Sequence, residues 1–223
     1  MSTFGYVNAV FELREQIRAG LCLEPAEIIV AVRSASTLAG LTLGVRLAGL
    51  NTRVTGIRVA AETLGPFAAC TTGVVETLER QALVMMHAAG EAQALKQAPP
   101  ATLIGDYFGP GYGEITPAAS AAIRELRDNT GLELQCTYSG KAAAAFLDRL
   151  REAKGPLLFW NTFNSRPLPR DQVPEAKFPD IFLCLAIDYI WYKFELNVGK
   201  FKFFHLGAGG QPYLRSSPCT LAT

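Results

Sequence analysis

Glu27-Ile28-Ile29-Val30-Ala31-Val32 runs straight into Arg33-Ser34-Ala35-Ser36-Thr37, and that change of character decides how the chain is read. The first stretch is short, apolar and β-branched, as expected of a strand buried on both faces. Beyond the hydroxyl-rich turn, Leu38, Leu41, Val45 and Ala48 recur at helical spacing, with Gly49 and Asn51 closing the helix. Thr52 to Val59 then resumes as a second strand. Strand, turn, helix and strand make a βαβ unit, in which the two strands lie parallel and ligands gather at the carboxyl ends of strands. The turn sits where a helix beginning near Thr37 directs its free N–H groups, so an anion would be held there. Ser and Thr are also common helix caps, and capping alone is the plainer reading of such a turn.

Composition bounds the rest. The chain has 223 residues, 49% hydrophobic and 18% charged, enough to bury a sizeable core in one or two globular layers. A net charge of +1 carries none of the basic excess that neutralises nucleic-acid phosphates. Cys22, Cys70, Cys136, Cys184 and Cys219 are odd in number and scattered, without a C-x-x-C pair or a secreted disulfide pattern. A reducing, cytoplasmic setting is the expectation, and Met1 to Tyr6 carries no signal-peptide pattern.

Upstream of the central unit, Val7, Val10, Leu13 and Ile17 form the apolar face of a helix ended by Gly20. A helix opening almost at Met1, with no strand before it, reads as a start in mid-domain. Downstream, Val74 to Leu95 is expected to be helical, with Val74, Leu78, Ala82, Met85 and Ala89 as its buried stripe. His87 has no second ligand at metal spacing and reads as an ordinary residue. Pro99-Pro100 ends the helix, and Ala101 to Gly105 is a short strand. Asp106 to Pro117 packs three glycines and two prolines among aromatics, which makes it a shaped loop. Thr116 and Pro117 open a helix facing inward through Ala119, Ile123 and Leu126. Leu132 to Cys136 reads as a strand, Thr137 to Lys141 as its exit into a helix buried through Ala143, Leu147 and Leu150, and Pro156 to Thr162 as the next strand and exit.

Asp106-Tyr107-x-Gly109-Pro110-Gly111-Tyr112-Gly113 followed by Tyr138-Ser139-Gly140-Lys141-Ala142 resembles the carboxyl-terminal part of the D-cysteine desulfhydrase and 1-aminocyclopropane-1-carboxylate deaminase family. Gly5-Tyr6-Val7 resembles that family's Gly-Tyr-Val helix start, and Ser34 to Leu41 its glycine-rich phosphate loop. The match runs in order from about Thr3 to Pro169. It implies an α/β fold: a three-layer parallel sheet of the fold type II pyridoxal-phosphate enzymes, incomplete at its amino-terminal side. It further implies pyridoxal phosphate as cofactor, held by Ser34, Ser36, Thr37, Ser139 and Thr162, with Tyr112 and Tyr138 as the catalytic tyrosines. A hydroxyl at Ser139, where deaminase members have glutamate, would leave the pyridine ring nearer neutral and suit β-elimination to sulfide, ammonia and pyruvate.

The departures are equally specific. Arg33, Ala35 and Ser36 stand where the family has glycines, so each Cβ obstructs a phosphate and any positive φ is strained. Phe163-Asn164 stands where two glycines are expected. The family's Schiff-base lysine and its substrate-carboxylate segment lie upstream of the matched region, and Lys141 matches a different, non-catalytic lysine. The chain is therefore expected to be a truncated product that keeps the cofactor-flanking half. Residues 1–170 read as a partial pyridoxal-phosphate domain. Residues 171–223 read as an atypical aromatic-rich tail, too charged between Ile181 and Phe204 to span a bilayer, with an edge strand in Lys200 to His205 and a glycine-rich turn through Gly210. The leading reading is a lyase of the D-cysteine desulfhydrase type by descent, acting on a small amino acid in its intact relatives and lacking the Schiff-base lysine here, with a homodimer as the expected assembly. The alternatives are a non-catalytic module binding a phosphate ligand or partner chain, and an ordinary nucleotide-binding domain.

Overall fold

The computed structural model describes residues 2–91, 100–163, 202–206 and 212–213, the last two stretches by backbone alone. Helix α1 (Ser2–Arg18) precedes β1 (Glu27–Val32), α2 (Ser36–Ala48) and β2 (Arg53–Arg58), the βαβ unit expected from the sequence. A small antiparallel hairpin, β3 (Thr63–Leu64) and β4 (Phe67–Ala68), leads to α3 (Thr72–Ala88) and β5 (Thr102–Ile104). Then come α4 (Pro117–Thr130), α5 (Ser139–Glu152) and β6 (Leu157–Trp160), with β7 (Lys202–Leu206) and β8 (Pro212–Tyr213) last.

Alternation along the strands makes this an α/β fold in three layers. Ile28, Val30 and Val32 of β1, with Leu158 and Trp160 of β6, pack on α1 and α2. Ile29, Ile57, Leu157 and Phe159 point the other way, onto α4 and α5. The sheet order is β5-β2-β1-β6-β7-β8, with β5, β2, β1 and β6 parallel and β7 and β8 antiparallel. The edge strand expected in Lys200 to His205 is thus found as β7, lying between β6 and β8 instead of at the edge. The division at residue 170, the aromatic run from Ile181, and the glycine turn at 207–210 lie outside the described residues.

Two expectations need correction. Leu132 to Cys136 forms no strand: Leu132 and Leu134 are buried and Glu133 exposed, but no ladder forms. Alternation reports burial on one side; it does not say whether a neighbouring strand offers hydrogen bonds, and here the leucines simply pack against α4 and α5. In α3 the buried positions are Val75 and Ala82, with Val74 and Leu78 half-buried, while Met85 and Ala89 are exposed. Only the first part of the helix is covered, held by the Arg46–Glu79 ion pair at 3.1 Å from α2 and by Val7 and Leu43 against Ala82. The helix stops at Ala88, where Gly90 at φ 84 turns the chain; residues 92–99 lie outside the described residues.

Candidate functional site

Strand order fixes where a ligand would sit. From β1 the chain moves outward to β2 and β5 on one side, then returns through α4 and α5 to place β6 on the other side of β1. Between β1 and β6 the winding reverses, and a crevice opens outside the carboxyl ends of strands at such a point. The register pairs Val30 with Trp160, so Arg33–Thr37 leaves β1 beside Asn161 and Thr162 leaving β6.

The first corner is the start of α2. Its N-cap is Ala35, in the left-handed conformation at φ 62 and ψ −15, and no side chain caps the helix. Ser34 and Ser36 instead share a hydrogen bond between their hydroxyls at 3.1 Å. Thr37 is half-buried in the same turn. The first turn of α2 therefore keeps the partial positive charge of its N–H groups uncancelled by a side-chain oxygen, which suits an anion. The strain expected at the departures from glycine falls on Ala35. A left-handed non-glycine residue costs about 1–2 kcal/mol, while the buried Ala35 methyl, 1% exposed, returns about 0.8 kcal/mol. Ala35→Gly is accordingly expected to stabilise the protein by a net of roughly 0.5 kcal/mol, seen as a small rise in the urea midpoint at unchanged m-value.

The second corner is the loop after β5. Gly109 at φ 74 tolerates no side chain, since a Cβ there would lie 2.5 Å from Thr116 Cγ2. Thr116 in turn caps α4, its Oγ1 accepting from Ala119 N–H at 3.1 Å. At the loop's foot Tyr107 donates its hydroxyl to Asp148 of α5 at 2.9 Å. Burial, reinforced by that carboxylate, pushes the Tyr107 phenol up to about 12, so it remains a donor at neutral pH. At its crest Tyr112 stands half exposed.

The third corner opens α5. Tyr138 and Tyr112 are hydrogen-bonded through their hydroxyls, with rings edge to face at 5.9 Å and 66°. Arg33 places its guanidinium 5.4 Å from the Tyr112 ring centroid. Arg33, Tyr112 and Tyr138 thus link the three corners by direct contact. Arg33 entered the sequence reading as a departure from glycine, and its contact with the tyrosine was not foreseen. Ser139 is turned inward: its hydroxyl accepts from Gln135 N–H at 3.0 Å and donates to Gln135 C=O at 3.2 Å, so it is spent within the turn. The neighbouring Gln135 carboxamide nitrogen is buried with no hydrogen-bond partner, an unmet donor in the turn that carries Tyr138. Thr162 is half-buried at the exit of β6. His87 is exposed on α3, and among the described residues no cluster of metal-binding side chains occurs.

Whether these residues suit pyridoxal phosphate divides between its two ends. The phosphate end fits: an uncapped helix start, two hydroxyls 3.1 Å apart and a guanidinium lie together. The aldehyde end is not met by the lysine side chains described. Lys141 is fully buried and donates to two loop carbonyls, and Lys154 lines a cleft of about 420 Å³ with Glu27 and Arg53 at the opposite, amino end of the sheet.

No family model matches the chain. It is 30% identical to a D-cysteine desulfhydrase of Klebsiella pneumoniae (strain 342) over 169 residues, 73% of this chain and 46% of that protein. It is also 30% identical to the D-cysteine desulfhydrase of Serratia proteamaculans, with the same coverage. A putative 1-aminocyclopropane-1-carboxylate deaminase of Thermotoga maritima is 26% identical over 163 residues, 73% of this chain and 47% of that protein. The chain spans about half the length of the curated relatives it matches. Among solved structures, a crystal structure of an ACC deaminase homologue superposes with a TM-score of 0.55 at 27% identity, covering 70% of this chain and 44% of the other.

Proposed function

From the premise that this chain is a partial relative of the D-cysteine desulfhydrase and 1-aminocyclopropane-1-carboxylate deaminase family, we propose that it carries the cofactor-flanking half of a pyridoxal-phosphate lyase site. The start of α2 anchors the phosphate through the N–H groups of Ser36 and Thr37 and the hydroxyls of Ser34 and Ser36. Tyr112 and Tyr138 hold a proton between two phenols beside that anchor, placed to pass it to the leaving thiol of a small amino acid such as D-cysteine. The cofactor, when bound, supplies the electron sink for β-elimination. The observation that carries this reading is the contact chain Arg33–Tyr112–Tyr138, which brings the phosphate turn and the tyrosine pair to one crevice. Among the described residues the thiols of Cys70 and Cys136 are free, and with Cys70 pushed up to about 11 by burial they suit a reducing cytoplasm.

One observation favours a second reading of the same site, as a binding module without catalysis: neither described lysine side chain is presented to the crevice. Titration calorimetry with pyridoxal phosphate, pyridoxal and inorganic phosphate tests what the two readings share. Pyridoxal phosphate is expected to bind, phosphate to compete, and pyridoxal to bind at least about tenfold more weakly, the equivalent of 1.4 kcal/mol. Equal binding of pyridoxal, or none of either, overturns both. A lysine recovered as its pyridoxyl derivative after borohydride reduction, with sulfide released from D-cysteine, selects the lyase; binding without them selects the module. A nucleotide that raises the melting temperature where pyridoxal phosphate does not would point instead to an ordinary nucleotide-binding domain.

A further inference from the structure

Lys141 is the one fully buried cation among the described residues, at 0% exposure in the first turn of α5, and the tyrosine reading above does not use it. Its ammonium donates to the carbonyl oxygens of Phe108 at 2.7 Å and Gly111 at 3.3 Å, both on the loop that carries Tyr112. The same nitrogen lies 5.2 Å from the centroid of the Phe108 ring. Arg58, at the end of β2, approaches that ring at 5.4 Å. Two cations from two different elements thus hold one loop residue, and Lys141 reaches the loop again immediately before Tyr112. Removing an ammonium from water is costly unless its donors are met, and here two carbonyls and a ring face supply the compensation.

We infer that Lys141 is the positioning residue of the tyrosine pair: it ties the Phe108–Gly111 segment to the first turn of α5, three residues downstream of Tyr138, and so sets the reach of Tyr112 to Tyr138. It touches no reacting atom and acts through the loop. Loop and helix are otherwise joined at Tyr107–Asp148, four residues before Phe108–Gly111 ends and at the far half of α5, where they constrain Tyr112 less. Burial pushes the Lys141 ammonium below its ordinary range, with Glu114 opposing the shift, as expected of a cation held by carbonyl dipoles more than by a carboxylate.

The test requires no cofactor, so it stands or falls separately from pyridoxal phosphate binding, although it rests on the same tyrosine pair. The full chain is prepared with 3-fluorotyrosine at position 112, and the fluorine resonance is recorded with and without Tyr138→Phe. In the otherwise unchanged protein the resonance is expected to move when the Tyr138 hydroxyl is removed. In Lys141→Met, which keeps the unbranched chain as far as the ε-carbon and removes donor and charge, that response is expected to be lost while a cooperative melt is retained, because relief from burying a charge offsets the lost bonds. Lys141→Gln, one atom shorter but still a donor, is expected to restore part of it. A full response in Lys141→Met overturns the inference. So does failure of both variants to melt cooperatively, since Lys141 would then hold the core and not the loop.

Discussion

Gly40→Val is expected to lower the melting temperature by roughly 10 °C, from a destabilisation of about 3 kcal/mol at about 2–4 °C per kcal/mol in a chain of this size. Helix propensity alone predicts the opposite sign, since glycine is the weakest helix former after proline. The reason is α1. A Cβ at Gly40 would fall inside contact distance of the Thr3 carbonyl oxygen and 2.7 Å from Tyr6 Cβ, and one at Gly44 would lie 2.8 Å from Val10 Cβ. The backbones of α1 and α2 are therefore seated against each other along these two glycines, and a backbone carbonyl cannot swing aside as a flexible side chain can. Valine must lift α1, exposing Val7 and Val10, which are 3% and 0% exposed. Thermal denaturation followed by circular dichroism checks the size of the effect, and amide exchange checks its place: protection should fall first in Ser2–Arg18. An unchanged melting temperature would mean that α1 is not seated as described. The effect reaches the crevice because Gly40 lies one turn beyond Ser36, so a displaced α1 removes the backing of the Ser34–Thr37 turn.

How much of this was legible in the sequence follows from which forces leave a local trace. The β1–α2–β2 unit was readable because its apolar period changes from a continuous run to helical spacing at one place, and the ends carry Gly49 and the hydroxyl turn. The openings of α4 at Thr116-Pro117 and of α1 near Met1 were readable for similar reasons, since caps and stripes are local. Leu132 to Cys136 misled because a one-sided burial pattern arises equally from a strand and from an extended connection pressed under two helices. The stripe on α3 misled because periodicity says that a face is apolar, not how far its neighbour extends, and α2 and α1 cover only the first part. The hairpin at Thr63–Ala68 left little trace: its tip residues Leu64 and Phe67 are exposed, so no burial pattern announces two-residue strands.

At the site the limits are of another kind. Tyr112 and Tyr138 were picked out together by resemblance, and the hydrogen bond between them joins residues 26 apart in the chain. Nothing local marks that distance as closed. Lys141 opens a helix, where a lysine is ordinarily solvated, and its burial depends on accepting carbonyls in a loop 30 and 33 residues earlier. The cue available was the run Gly109-Pro110-Gly111, which leaves carbonyls short of strand or helix partners and so in want of a donor.

Ser36→Asp is expected to separate the stability of the α2 start from its affinity for phosphate, moving the two in opposite directions. An acidic side chain in the first turn interacts favourably with the helix N-terminus, worth about 0.3–1 kcal/mol at an exposed site. The turn now has no side-chain cap, so an aspartate there meets an unfilled demand. The urea midpoint should rise slightly. The same carboxylate, however, brings negative charge to the place a phosphate would fill and competes for the same N–H groups, while breaking the hydroxyl pair that Ser36 makes with Ser34 at 3.1 Å. Affinity for pyridoxal phosphate should fall at least about tenfold, or 1.4 kcal/mol. A Ser36→Ala control loses one hydroxyl without adding charge and should show a smaller drop. If pyridoxal phosphate binds Ser36→Asp as well as the unaltered chain, its phosphate does not lie at the start of α2, and the tyrosine pair would have to serve a ligand anchored elsewhere in the crevice. Stability rising while binding falls is the outcome that an uncapped helix start beside the Arg33–Tyr112 contact requires, because the vacancy that aspartate fills is the one the phosphate needs.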